Sequence, residues 1–162
     1  MGYESPEAAD ADPVSLSKQC LYQLELLLAQ QTAPSDTAAI VLEPVLGEGG
    51  YVEAPREYLE GLREICDKHG ILLVIDEVQS GFGRTGTCAF ALLNLYCYPD
   101  DCLLDFACNQ IAPGIKTDIM IMAKGIANGF PLSAIATRKE LSDLQPVGSM
   151  GGTYAVCLDL SS

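Results

Sequence analysis

The sequence predicts an α/β fold with a mostly parallel sheet and flanking helices, and two observations carry this prediction. Residues 71–75 form an unbroken apolar run that ends at Asp76, which is typical of a strand covered on both faces. Shorter apolar runs at 39–42 and 119–122 alternate with stretches of helical spacing. Because ligands bind beyond the carboxyl ends of parallel strands, Asp76 is placed to contact a ligand.

The composition limits the classes of function. The chain has 162 residues, 49% of them hydrophobic, enough for one domain with its own core. A net charge of −13 argues against nucleic acid and anionic membrane surfaces as partners. No apolar run approaches the roughly 18 residues that a membrane span needs. The acidic N-terminus lacks the basic and apolar regions of a secretory signal, so we expect a cytoplasmic protein.

The seven cysteines form no CxxC pair, and His69 is the only histidine. In a cytoplasmic chain these cysteines are read as reduced, mostly buried thiols. We therefore expect no metal site and no disulfide framework.

Two helices are predicted in the first half of the chain. Apolar residues at helical spacing predict a helix from Ser15, as N-cap, to Gln31. A short buried strand follows at 39–42. Pro55 then opens an amphipathic helix that Gly70 closes.

The second half predicts a strand at 119–122 and another at 133–137. The latter follows too closely for a crossover helix, so we expect it to be antiparallel to its neighbour. A short helix is predicted over 138–144, before a glycine-rich loop.

One charged residue stands at each of three strand exits: Glu43, Asp76 and Lys124. Such groups converging at one sheet edge make a ligand site with opposed charges. A neutral lysine amine can form an imine with a carbonyl, and a carboxylate can keep a pyridine nitrogen protonated. The plainer alternative is a surface lysine, an aspartate that caps a turn and glycines that serve turn geometry.

Several segments carry a resemblance to a known family. They occur in the order Glu43-Pro44-Val45-Leu46-Gly47-Glu48-Gly49-Gly50, Asp76-Glu77-Val78-Gln79-Ser80-Gly81-Phe82-Gly83-Arg84-Thr85-Gly86, Asp118-Ile119-Met120, Ala123-Lys124-Gly125-Ile126-Ala127-Asn128-Gly129-Phe130-Pro131-Leu132 and Gly151-Gly152-Thr153-Tyr154. Together they resemble the class III pyridoxal-phosphate aminotransferases, and in particular the 4-aminobutyrate aminotransferase-like members. The resemblance implies part of the large domain of a fold-type I transferase, truncated at both ends.

The resemblance also implies roles for individual residues. Lys124 matches the lysine that holds pyridoxal 5′-phosphate covalently and then moves a proton between the substrate and the cofactor. Asp76 matches the acid that pairs with the pyridinium nitrogen. Gln79 matches the residue near the cofactor's phenolic oxygen, and Val78 the side chain packed on the ring face.

Further residues are matched at the rim of the site. Thr153 matches the threonine that reaches the cofactor phosphate of the neighbouring subunit, which implies a homodimer. Glu48 matches the glutamate that pairs with a switching arginine in enzymes for ω-amino acids. Glu43 matches a family position at the site edge without an assigned role. The expected substrates are an amino donor and a keto-acid or aldehyde acceptor.

The chain also departs from the family pattern. Residues 1–36, an acidic segment plus a helix, do not contain the family's phosphate-binding loop, and residues 156–162 do not resemble its continuation. Within the partial large domain at 37–155, residues 89–105 form a foreign insertion that interrupts a family-like run. We hypothesise that this insertion and the tail are retained-intron sequence, which transcript sequencing tests.

Three other readings remain open at this stage. The chain could be a non-catalytic fragment that at most associates with a full-length subunit. It could belong to an aminomutase that acts on an amino aldehyde, because such enzymes share these motifs. A flavodoxin-like domain would bind nucleotide or flavin and leave Lys124 unmodified.

Overall fold

The computed structural model describes residues 12–85, 108, 111–127 and 129–149. Within these ranges the chain forms three α-helices and four β-strands. In chain order they are α1 (Pro13–Gln30), β1 (Ala39–Leu42), α2 (Arg56–His69), β2 (Leu72–Asp76), β3 (Ile119–Met122), β4 (Ala134–Thr137) and α3 (Lys139–Ser142). The predicted insertion at 89–105, the tail at 156–162 and Thr153 lie outside the described residues.

The four strands form one mixed sheet in the order β1-β2-β3-β4. The pairs β1–β2 and β2–β3 are parallel, whereas β4 runs antiparallel to β3, with Met122 paired to Ala134. The predicted α/β class, the four strands and the antiparallel direction of β4 are thus confirmed. Because β1, β2 and β3 are parallel, their carboxyl ends meet at one edge of the sheet.

Helix α2 begins and ends as its sequence predicts. Its apolar stripe, with Leu59, Leu62 and Ile65 among its buried residues, packs toward the sheet. Gly70 ends the helix in the left-handed conformation, with φ of 69°. The helix packs against β2 and α1 and forms the outer layer of the core.

The predicted cap of α1 is wrong. The helix begins at Pro13, and the Asp12 carboxylate accepts a hydrogen bond from the Ser15 backbone N–H at 3.2 Å. Proline suits the first helical position because it has no N–H to satisfy and its φ is already helical. Ser15 is therefore inside the first turn and donates to the cap instead of providing it.

Strand β1 is less buried than predicted, because it lies at the edge of the sheet among the described residues. Its Val41 is 60% exposed, whereas Leu73 and Ile75 of the central β2 are fully buried. The apolar run of β1 thus does not imply burial on both faces. Among the described residues, no helix has the length and apolarity needed to cross a membrane.

An ion-pair cluster ties helix and strands together at the opposite edge from the strand carboxyl ends. The buried Asp118, just before β3, accepts hydrogen bonds from the Leu73 N–H at 2.8 Å and from Arg63 of α2 at 2.9 Å. Arg138, at the end of β4, pairs with its other oxygen at 3.0 Å. Burial by itself raises the pKa of Asp118, but these donors together outweigh it and hold that pKa below its usual range.

Candidate active site

Lys124 lies on the first turn after β3, at the carboxyl edge of the sheet. Its backbone has a φ of 46°, in the left-handed region that a lysine adopts only when its surroundings enforce it. It starts a short 3₁₀ helix, Lys124–Ala127. Its ammonium donates a hydrogen bond to the Gln79 side-chain oxygen. Two of the residues singled out in the sequence, 45 positions apart, are therefore in contact.

Asp76 is the last residue of β2 and is half-buried. Its Oδ1 accepts a hydrogen bond from the Val78 N–H at 2.9 Å, which fixes the turn that carries Val78 and Gln79. In the sheet Asp76 is paired with Ile121, three positions before Lys124. The carboxylate thus holds the local turn, as the plainer alternative expected, and also stands at the strand end next to the lysine turn.

A third segment, the loop after β1, lies next to the Gln79 side chain that contacts Lys124. The Glu43 carboxylate accepts a hydrogen bond from the Gly47 N–H at 2.6 Å, which closes the loop onto the strand end. The Gln79 amide lies directly against Gly47: a Cβ at this position would be 2.7 Å from Gln79 Cδ. The loop that Glu43 anchors and Lys124 therefore both contact the Gln79 side chain, while Asp76 ends the strand three residues before it.

An open depression of about 570 Å³ lies beside the lysine. It is lined by Phe82, Gly83, Arg84, Lys124, Gly125 and Gly129. Pockets for small ligands and cofactors commonly have volumes of about 300–1,000 Å³. Asp76 and Gln79 are not part of this lining, so the depression covers the lysine side of the site.

The remaining predicted site residues have differing surroundings. Val78 is half-buried on the turn after β2, next to the residues that form the site. Glu48 is exposed on the loop after β1. Thr153 falls outside the described residues, so its matched role stays a prediction.

One buried group was not assigned a role in the sequence. Glu77 is fully buried, and its carboxylate accepts hydrogen bonds from the Ser80 hydroxyl at 2.6 Å and the Cys108 N–H at 2.8 Å. Successive residues of an extended chain point to opposite faces, so Glu77 points away from Asp76. The sequence did contain a signal for this. Of two adjacent acids at the end of a buried strand, one side chain is expected to face the ligand and the other to face the core. Glu77 joins the turn to the distant residue 108.

These residues suit pyridoxal phosphate by the chemistry of their donor groups. The Lys124 amine is the group that reacts with an aldehyde, and Asp76 is a carboxylate at the adjacent strand end. Gln79 supplies an amide that contacts the amine directly. The open depression beside Lys124 gives a small molecule access to the amine.

Comparison with known proteins identifies the family. The sequence profile of the family described as "Aminotransferase class-III" matches residues 3–156. The chain is 43% identical over 132 residues to a 5-aminovalerate aminotransferase, DavT, of Pseudomonas putida, covering 82% of this chain and 27% of the relative. It is also 43% identical over 129 residues to the 4-aminobutyrate aminotransferase GabT of Escherichia coli, covering 80% and 26% of the two chains.

Solved structures agree with the sequence comparison. An (S)-enantioselective omega-transaminase from Thermomicrobium roseum matches with a TM-score of 0.70 and 31% identity, over 90% of this chain and 29% of that chain. An amine transaminase from an uncultivated Pseudomonas species, solved in its PLP-bound form, matches with a TM-score of 0.68 and 36% identity, over 87% and 27% of the two chains.

The fold and the site define a piece of a fold-type I transferase domain, as predicted. The chain belongs to the class III aminotransferase family, whose cofactor is pyridoxal phosphate. It spans about 27% of the length of the DavT relative.

Proposed function

We propose that this chain carries the lysine-bearing part of a transaminase active site and binds pyridoxal phosphate covalently at Lys124. The observation that carries this proposal is the contact between Lys124 and Gln79 at the sheet edge where Asp76 ends β2. Lys124 is exposed, but its backbone is held in the left-handed region and its ammonium has an amide partner on the turn after another strand.

Each residue has a distinct task in this proposal. Lys124 Nζ is the nucleophile toward the cofactor aldehyde, and once it is free again it accepts and returns the substrate proton. Asp76 offers its carboxylate to a protonated ring nitrogen, and Val78 covers a ring face. Gln79 orients the lysine amine through its side-chain oxygen. The bound cofactor supplies an electron-withdrawing ring that stabilises negative charge on the substrate carbon.

The substrates follow from the family. We propose an amino acid or ω-amino acid as amino donor and a keto acid or aldehyde as acceptor, with Glu48 at the substrate end of the site. The exposed position of Glu48 on the loop after β1 leaves it accessible to a partner arginine or substrate. The proposed compartment is the cytoplasm.

A second candidate is a non-catalytic chain that associates with another subunit. It is favoured by large apolar side chains on the surface near β4 and the turn before it, with Phe130 66%, Leu132 54% and Ile135 50% exposed. Exposed apolar patches mark interaction surfaces or aggregation. In this second proposal the chain at most associates with a full-length subunit, whereas a homodimer in which Thr153 reaches the cofactor phosphate of the neighbouring subunit belongs to the first.

The test is direct. The purified protein is mixed with pyridoxal phosphate, the visible absorbance band is recorded, and borohydride is added to fix the carbon–nitrogen bond. Peptide mass spectrometry then locates the modified lysine. We expect the label on Lys124 and loss of the band in Lys124→Ala.

Lys116→Ala is the matched control, because Lys116 is an exposed lysine on the other side of β3. It should leave the band unchanged. Label spread equally over Lys18, Lys68, Lys116 and Lys139 would refute a built site and favour the non-catalytic reading. Size-exclusion chromatography with light scattering reports the oligomeric state of the same samples.

A further inference from the structure

The loop after β1 meets the Gln79 side chain at Gly47, a residue without a side chain. Gly47 is buried, and the end of the Gln79 side chain occupies the space that a Cβ would fill. A Cβ would be 2.7 Å from Gln79 Cδ, closer still to Nε2, and 3.2 Å from Glu43 Oε2. Real Cβ atoms do not make contacts under 3.0 Å, so one of these groups would have to move.

The orientation of the Gln79 amide is set by what its oxygen and its nitrogen each contact. Its oxygen accepts from the Lys124 ammonium, which has donors and no acceptor. Its nitrogen therefore points to Gly47, on the side where the Glu43 carboxylate lies. The amide spans from the loop after β1 to the lysine turn, so its position depends on both.

Glu43 holds the loop in the required place. Its Oε2 accepts the Gly47 N–H at 2.6 Å, a charge-assisted bond that anchors the loop at the residue against which Gln79 rests. The loop also closes on itself, because the Leu46 N–H donates to the Val52 carbonyl and the Ala54 N–H to the Pro44 carbonyl, both at 2.9 Å. Gly47 thus sits at a fixed distance from the end of β1.

We infer that Gly47 and Glu43 are positioning residues that set the Gln79 amide against Lys124. Gly47 provides the space and Glu43 the anchor, and neither touches Lys124 in this structure. The role gives a physical reason for the glutamate at the end of β1, to which the sequence pattern assigned none. The consequence for cofactor binding rests on the proposed function, whereas the placement of Gln79 does not.

The principal variant is Gly47→Ala. Since the crowded atoms belong to the far end of a flexible side chain, the amide swings away and the fold is retained. Gly49→Ala is the matched control in the same loop, because the three atoms nearest to a Cβ there all belong to the Leu46 side chain, the closest at 3.2 Å. Thermal unfolding of both variants checks that the domain is intact.

The first readout needs no cofactor. The side-chain amide signals of Gln79 in ¹H–¹⁵N spectra are assigned by their loss in Gln79→Ala. We expect Gly47→Ala and Lys124→Ala each to shift these signals, and Gly49→Ala to leave them in place. Glu43→Ala should also shift them, while Glu43→Gln, which keeps an oxygen acceptor for the Gly47 N–H, should restore the wild-type positions.

The second readout is the dissociation constant of pyridoxal phosphate at Lys124. We expect Gly47→Ala to weaken binding about fivefold, the typical net effect of losing one hydrogen bond, because a displaced Gln79 amide would no longer reach the cofactor's phenolic oxygen, the role that the resemblance implies for it. The double variant with Gln79→Ala should be no weaker than Gln79→Ala alone, because Gly47 acts through Gln79.

The outcomes separate the two proposals. Unchanged Gln79 signals in Gly47→Ala, or losses in affinity that simply add in the double variant, would overturn the positioning role. Shifted signals in a protein that does not bind pyridoxal phosphate would retain the positioning role and refute the proposed function.

Discussion

Replacing Asp118 by asparagine tests the ion-pair cluster that joins α2, β3 and β4. The Asp118 side chain is 8% exposed and bonds to Arg63, which is 15% exposed, and to Arg138, which is 53% exposed. Asparagine keeps an acceptor for the Leu73 N–H but loses the charge that both guanidiniums face. Removing one partner of a buried pair costs about 3–5 kcal/mol, and because Arg138 is half in water we expect about 2–3 kcal/mol.

The assay is urea-induced unfolding at neutral pH, with a thermal midpoint about 4–10 °C below wild type as the second measure. Asp67→Asn is the matched control, because Asp67 pairs with the same Arg63 at 2.8 Å but is 69% exposed. That variant should change the free energy of unfolding by less than about 0.5 kcal/mol. Equal losses in the two variants would refute the reasoning, since burial would then not decide the strength of the pair.

The pH dependence has a definite sign. The folded-state pKa of Asp118 lies below its unfolded value, so the carboxylate stabilises the fold above the unfolded pKa of about 4. This stability is lost as the pH falls through the folded pKa. The difference in unfolding free energy between wild type and Asp118→Asn should therefore shrink below about pH 4; a constant difference down to the folded pKa would contradict the assignment.

Two further predictions concern α2. Gly70→Ala should destabilise the fold by about 1 kcal/mol in urea unfolding, since the left-handed φ of 69° strains any Cβ although no atom lies within 4 Å; Gly70→Asn should lose less. Cys66 is fully buried, and burial raises the pKa of its thiol, so iodoacetamide should label exposed Cys20 first and Cys66 only on unfolding. Peptide mapping distinguishes the two sites, and equal rates in the native protein would contradict the packing.

The elements that could be predicted are those with a strong local signal. Helix α2 carries its apolar stripe together with Pro55 at its start and Gly70 at its end, and both ends agree with the structure. The antiparallel direction of β4 followed from chain length alone, because 123–133 is too short for a crossover. The Asp12 cap was missed because the apolar repeat begins only at Leu16, although an aspartate followed by a proline is itself a helix-start signal.

Individual residues of the candidate site could be picked out from the sequence, but the contacts between them could not. Asp76 and Lys124 were singled out because an apolar run ends at or just before each of them. The contact of Gln79 with Gly47 depends on how two loops fold over one sheet edge, and no spacing in the sequence encodes that approach. Asp118 was quoted only as part of a motif, since a single acid before a strand does not reveal two arginine partners.

The antiparallel pairing of β3 with β4 also has a mechanical consequence. The chain leaves the sheet at Met122 and returns at its direct partner Ala134, so the segment that bears Lys124 is clamped at both ends by the same ladder. Lys124 lies two residues after Met122, whereas Phe130 and Leu132 are exposed near Ala134 at the other end of the segment. Changes in length or composition at the far side of this loop can therefore be absorbed without displacing the amine. Libraries meant to reshape the surroundings of the lysine are best concentrated there.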